Sequence, residues 1–242
     1  MTSTEPAVPS TRWRRRKDAR PGEIVAAGLA CFAERGFAAT RLEDVARRAG
    51  VTKGTLYLYF PNKEELFKAV VRQAVVPNIA LGEALVDQSE EPAPVVLQQL
   101  VARLSAAMVA PASAIPKIVV AESGNFPDIA RFYLEEVIQR GLGMFRRLLE
   151  LGVARGEFRP IDVESTAYCI VAPMVLGMMW RHSFERHEER PFDAAALCQA
   201  NVQLFSRGLV PPGKAGRGKV GAGKATRAAG VRPRRQRKGA DR

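Results

Sequence analysis

Between Val51 and Leu66 the chain reads VTKGTLYLYFPNKEEL, and its polar groups are nearly all hydrogen-bond donors until the two glutamates that close it. Hydroxyls stand at Thr52, Thr55, Tyr57 and Tyr59, ammonium groups at Lys53 and Lys63, and a further hydroxyl precedes them at Thr40. Such a set suits a partner that presents anionic oxygens in a regular array. The lysines can neutralise phosphates, and the threonine and tyrosine hydroxyls can donate to phosphate oxygens. Gly54, with no side chain, allows a surface to come close to the backbone there.

The remaining reactive side chains suggest no catalysis. No nucleophile–base pair or metal cluster is readable, and no enzyme activity or cofactor is expected. His182 and His187 are five apart and lack the HExxH spacing of a zinc site, so they read as solvated surface or interface. Gly216 to Gly221 matches GxGxxG, and Gly218 to Lys224 nearly matches a phosphate-binding loop, with Ala225 where a hydroxyl residue should stand. Neither follows a strand or opens a helix, so both are accidents of composition.

Helical periodicity dominates the sequence. A stripe at Ile24, Val25, Ala27, Leu29, Cys31 and Phe32 predicts a helix over 22–35, which Gly36 ends. Thr40 with Glu43 reads as a capping box opening a short helix 41–49; Thr52 caps the next, 53–60. Gly50-Val51 makes the turn between them, giving a helix-turn-helix whose second helix enters the major groove. Tyr57 and Phe60 are three apart and Tyr59 points elsewhere, so one aromatic set packs inward and at least one tyrosine reaches the phosphate backbone. Asn62 with Glu65 caps a long helix, 63–86. DQSEEPAP is a loop, and helices are expected at 94–109, 115–123, 127–155, 162–186 and 193–207, with Pro127 and Pro191 near helix starts. Ile129, Tyr133, Val137, Gly141, Met144 and Leu148 form one row that buries a face of 127–155 along its whole length.

A net charge of +12 in 242 residues suggests an anionic partner, but the charge is concentrated. Residues 1–20 hold six Lys/Arg and two acids, residues 211–242 eleven and one, and the body between carries 20 bases and 22 acids. The tails read as disordered basic segments. The N-terminal one has two readings, a solvated, solubilising tail or, the one favoured, an arm placed to follow a duplex into the minor groove; the C-terminal one adds salt-sensitive, non-specific affinity. Cys31, Cys169 and Cys198 lie far apart within apolar patterns, which fits buried thiols in a reducing compartment. The N-terminus lacks the apolar region of a secretory signal. The longest apolar run, Ala167–Trp180, has the 14-residue length of a core helix rather than a membrane span.

The segment from the Ile24–Phe37 helix through FAERGFAATRLEDVARRAG and VTKGTLYLYFPNKEELF resembles the DNA-binding domain of the TetR/AcrR family of bacterial transcriptional regulators. The resemblance implies an all-α protein: a three-helix N-terminal helix-turn-helix domain, 21–67, and a larger helical ligand-binding and dimerisation domain, 68–210. It also implies a cytoplasmic homodimer, nucleoid-associated when bound to DNA, that reads an inverted-repeat operator and is released by a small molecule, most simply as a repressor. Thr40, Lys53, Gly54, Thr55, Tyr57, Tyr59 and Lys63 fall on matched DNA-contact positions, with Arg41 and Arg48 as further candidates. Leu58 departs from the family pattern, in which a polar residue often stands between the tyrosines. By the same analogy, 162–186 and 193–207 form a four-helix dimer interface through Met174, Met178, Leu197 and Leu204. A ligand pocket enclosed by helices 94–155 and 162–186 could draw on Met108, Asn125, Phe132, Tyr133, Tyr168 and Trp180, although core is the favoured reading for any one aromatic or methionine at such spacing. The competing reading is an architectural nucleic-acid binder driven by its tails.

Overall fold

The computed structural model describes residues 11–190 and 192–211. Residues 1–10, Pro191 and the C-terminal segment from 212, with its glycine-rich motifs, lie outside them. Among the described residues every regular element is helical: α1 (Thr11–Ala39), α2 (Leu42–Arg48), α3 (Lys53–Tyr59), α4 (Lys63–Ala74), α5 (Val76–Gln88), α6 (Ala93–Val109), α7 (Ile115–Glu122), α8 (Pro127–Tyr133), α9 (Arg140–Ala154), α10 (Val163–Ser183) and α11 (Ala194–Leu209). Short 3₁₀ turns lie at Pro111–Ala114 and Glu185–His187, and a π-helical segment, Leu134–Gln139, joins α8 to α9.

Gly36 breaks the regular part of α1 with φ +79°, a conformation open to glycine at little cost. Gly50 (φ +66°) ends α2 in a Schellman turn: its N–H donates to the Arg47 carbonyl, and the Val51 N–H donates to that of Ala46. The helix-turn-helix corner is therefore a backbone decision. At neither glycine would a Cβ meet any atom within 4 Å.

Three expectations need correction. α1 continues toward the N-terminus through Pro21 to Thr11, so residues 11–20 are helical rather than disordered. The stretch 63–86 is two helices, because Pro77 has no N–H to donate to the Gln73 carbonyl and the chain breaks at Val75. The stretch 127–155 is interrupted by the π segment, which contributes no buried residue.

That π segment marks a division in the interior. One core joins Ile24, Phe32, Phe37, Val45, Leu56, Phe67 and Val70 of α1–α4 to Ile115, Ile118, Ile129, Phe132 and Tyr133 of α7 and α8. A second joins α5, α6, α9, α10 and α11 through Val86, Leu97, Leu100, Met108, Phe145, Leu148, Ile170, Met174 and Cys198. The row expected to be buried along all of 127–155 is buried only at its two ends: Ile129 and Tyr133 serve the first core and Met144 and Leu148 the second, while Val137 and Gly141 between them are half-buried.

α10 is apolar on almost every side. Ala167, Ile170, Met174, Gly177 and Met178 pack into the second core, while Tyr168, Cys169, Ala172, Leu176 and Trp180 are exposed along the opposite side. At 21 residues with a mean hydropathy of 1.3, α10 is longer than the run read from the sequence, and by length and composition alone it would suit a bilayer, as would Lys63–Gln88. Cys31 and Cys198 are buried as expected; Cys169, on the outward stripe, is not.

Candidate nucleic-acid interface

α3 is seven residues long, and Leu56 is its one buried side chain. Burying that leucine contributes about 2 kcal/mol, and Phe60, just past the helix end, adds a second anchor at 9% exposure. The rest of α3 faces outward, with Tyr57 42%, Leu58 84% and Tyr59 37% exposed. Phe60 thus packs inward without Tyr57; both tyrosines remain at the surface. Thr52 caps the helix as the sequence predicts, accepting from the Thr55 N–H at 3.1 Å, and its hydroxyl lies 2.8 Å from that of Thr55. Asn62 likewise caps α4 through the Glu65 N–H at 2.8 Å.

Gly54 lies in the first turn of α3 without positive φ, and a Cβ there would meet only Thr52 Oγ1, at 4.0 Å. Among the described residues nothing requires a glycine at that position. Elsewhere the internal reasons are plain: a Cβ at Gly152 would collide with the Phe158 ring, and one at Gly177 with Met108.

The cations of the motif are held by acids that sequence spacing did not reveal. Lys53 Nζ pairs with Glu43 Oε1 at 2.6 Å and lies 5.7 Å from the Tyr57 ring centroid. The Lys53 hydrogen bond is the chief reason the Glu43 carboxyl sits below its ordinary range and the Lys53 ammonium above its own. Arg48 is held by Glu34, with 2.7 Å to each carboxylate oxygen. Arg35 and Arg47 both bond to Asp44. Exposed pairs of this kind add little stability. They hold Lys53 and Arg48 in fixed positions at the outer surface, from which a phosphate can compete for them. Arg41 is exposed.

Two expected contacts turn inward. Thr40 is 2% exposed, and its hydroxyl faces the carbonyls of Gly36 at 2.6 Å and Cys31 at 3.2 Å. The capping box is therefore not formed: Arg41 occupies the cap position of α2, and Glu43 is engaged with Lys53. Thr40 donates instead to carbonyls on either side of the break in α1, where the chain leaves regular helix. Lys63 does the same work from the other side. Its Nζ donates to the carbonyls of Phe37 at 2.8 Å and Ala38 at 3.0 Å and lies 4.5 Å from the Phe37 ring centroid. Burial pushes its ammonium below the usual lysine range.

The same turn meets α7 and α8. The Ala38 N–H donates to Glu122 Oε1 at 3.2 Å, and the Phe37 and Phe126 rings meet edge-on at 4.8 Å. Before α7, Ser113 Oγ lies 2.8 Å from His182 Nε2, and Lys117 within α7 donates to the His182 carbonyl. His182 is thus a partly buried junction rather than a solvated surface group; burial first, then Arg181 and Lys117, holds its imidazole below its ordinary pKa. These contacts join residues more than sixty positions apart, which no local pattern could indicate.

The six residues expected to line a pocket do not converge. Met108 is in the second core against Cys198, Phe132 and Tyr133 are in the first, and Asn125, Tyr168 and Trp180 are exposed. Phe132 is covered by Arg72, 4.8 Å from its ring centroid, and by Lys68 at 6.0 Å. Of the expected interface residues, Met174 and Met178 are buried within the protomer and Leu197 partly so; Leu204 is 73% exposed. Within the protomer, then, Met174 and Met178 are taken up by the second core. The outward stripe of α10 is Tyr168, Ala172, Leu176 and Trp180, with Leu204 exposed on α11.

Fold and site together define a helix-turn-helix DNA-binding domain joined to a larger all-helical domain, the class of one-chain transcriptional regulators. The sequence model of the bacterial regulatory proteins of the tetR family matches residues 24–70, and that of the C-terminal domain of AefR-like transcriptional repressors matches residues 95–207. The chain belongs to the TetR family of bacterial transcriptional regulators. It is 30% identical over 171 residues to the transcriptional regulator YfiR of Bacillus subtilis, covering 62% of this chain and 73% of that one. It is also 30% identical over 151 residues to the transcriptional repressor KstR2 of Mycobacterium tuberculosis, covering 61% and 74%. The solved structure of that ketosteroid regulator superposes with a TM-score of 0.63 at 27% identity, over 80% of this chain and 96% of the other. These relatives are transcriptional regulators, and neither matching family is one of enzymes.

Proposed function

We propose that this chain acts in the cytoplasm as a homodimeric repressor, reading an inverted-repeat operator through α3 and released from it by a small molecule. The observation that carries the reading is the outward face of α3. Within the helix only Leu56 is buried, with Phe60 anchoring the chain just past its end, and Gly54 keeps a bare backbone at the surface with no reason for it among the described residues. Lys53, Thr55, Tyr57 and Tyr59 border that face, with Arg48 and Arg41 beside it on the preceding helix and turn. Thr52, Thr40 and Lys63 act indirectly, by fixing the start of α3 and the α1–α2 turn.

Pairing of two copies is supported by the exposed apolar stripe of α10, Tyr168, Ala172, Leu176 and Trp180, together with Leu204 of α11. Two recognition helices must lie about 34–36 Å apart to enter successive major grooves on one side of a duplex. Release by a ligand requires only that it bind better to a conformer with another spacing. The contacts of α7 and α8 suit such a linkage, since they touch α10 at His182 and the α1–α2 turn at Phe37 and Ala38.

The test is selection from random duplex DNA by the full-length protein at physiological salt, where phosphate attraction alone holds complexes poorly. Recovery of one inverted repeat, bound as a dimer, is the expected result. Recovery without a common sequence would refute the operator-reading function and leave the architectural one.

A further inference from the structure

Leu58 is the most exposed large apolar side chain among the described residues, at 84%. Scattered exposed leucines are ordinary, but this one has an unusual setting. At about 100° per residue, Leu58 lies roughly opposite the buried Leu56, with Tyr57 and Tyr59 to either side and Gly54 one turn behind it on the same face. The absent side chain at Gly54 leaves the space beside it open. Leu58 therefore projects from the crest of α3 between the partly exposed rings of Tyr57 and Tyr59, each tipped by a hydroxyl, with no second aliphatic side chain exposed on the helix. The other highly exposed leucines differ: Leu176 and Leu204 lie on α10 and α11, where Tyr168 and Trp180 continue an apolar surface.

A single aliphatic group between two tyrosines, on a helix whose other outward-facing groups are a threonine and a lysine, is too small a patch for an apolar protein face. It does suit a major groove, in which phosphates line the walls and the apolar feature of the base edges is the thymine 5-methyl group. Resting on the DNA-reading role proposed above, we propose that Leu58 sets operator specificity by packing on a thymine methyl in each half-site. The polar groups around it position the helix, and Leu58 discriminates the base.

The experiment is a chemical double-mutant cycle on the full-length protein and its selected operator. Each thymine is replaced in turn by deoxyuridine, which removes the methyl and keeps the pairing edge, and binding is compared for the wild type and Leu58→Ala. At one thymine per half-site the wild type should lose about fourfold in affinity, the worth of one buried methyl group, and about fifteenfold when both half-sites are changed. Leu58→Ala should bind the two DNAs equally at that position, and its unchanged thermal melting would exclude a folding defect. Deoxyuridine losses that persist undiminished in Leu58→Ala, or no loss at any thymine, would overturn the assignment while leaving the operator-reading function intact. Failure of the wild type to prefer any sequence would overturn both.

Discussion

Replacing Gly54 with alanine should move stability and DNA binding in opposite directions. Alanine exceeds glycine in a helix by about 0.5–1 kcal/mol. The backbone at Gly54 lies outside the left-handed region, and the new Cβ would meet only Thr52 Oγ1 at 4.0 Å, so the variant can take up most of that gain. For a chain of this size the melting temperature should rise by about 1–4 °C. If α3 enters the groove as proposed, the same methyl would stand where the helix comes closest to the duplex. Forcing one extra methyl into a close-packed contact costs about 1–3 kcal/mol, or about 5- to 150-fold in affinity. Thermal denaturation of the free protein and fluorescence anisotropy on labelled operator supply the two numbers. Unchanged or tighter DNA binding by a stabilised variant would refute the reasoning, because it would mean that the bare backbone at Gly54 is not where the duplex approaches.

Three further outcomes follow from other parts of the molecule. Leu176→Glu, which places a charge on the outward stripe of α10 without entering the protomer core, should shift sedimentation from dimer to monomer and weaken operator binding with it; a stable dimer would place the interface elsewhere. Lys63→Met removes the donor to the Phe37 and Ala38 carbonyls and should lower unfolding free energy by about 1–2 kcal/mol, read by urea titration, with a smaller effect excluding a capping role. His182 is held toward its neutral form, so its share of stability is complete above the unfolded pKa of 6.5 and declines as pH falls through that value toward the lower folded-state pKa. His182→Gln should flatten that limb of the melting temperature against pH, and an unaltered limb would assign it to other groups.

Local signals are legible in the sequence. Thr52 and Asn62 cap helices where their spacing to Thr55 and Glu65 placed them, and Gly36 and Gly50 end helices through φ values that other residues adopt at a cost. The errors occurred where a residue had two possible employers. Thr40 had the spacing of a cap, yet its hydroxyl is taken up at the break in α1. Lys63 looked like a phosphate ligand and instead closes the same turn. In α10, whose faces are almost uniformly apolar, periodicity could show that Met174 and Tyr168 lie on different sides but not which side met the core. The acids that hold Lys53 and Arg48 come from other helices, and only the fold brings them there.

The boundary between the two cores has a consequence for how this protein could be recombined. The helix-turn-helix is usually thought of as the stretch from α1 to α4, but α7 and α8, some forty residues further along, complete its interior. A chimaera that transplants residues 21–74 alone would strip Phe37 of Phe126 and leave the faces that met Ile115, Ile118 and Phe132 bare. The unit that keeps the first core whole is therefore discontinuous, with α5 and α6 passing through the gap as an insertion and the contacts of Ser113 and Lys117 with His182 left behind. A graft that keeps both segments carries its own interior into the new host. One that keeps only the first must find replacement partners for it.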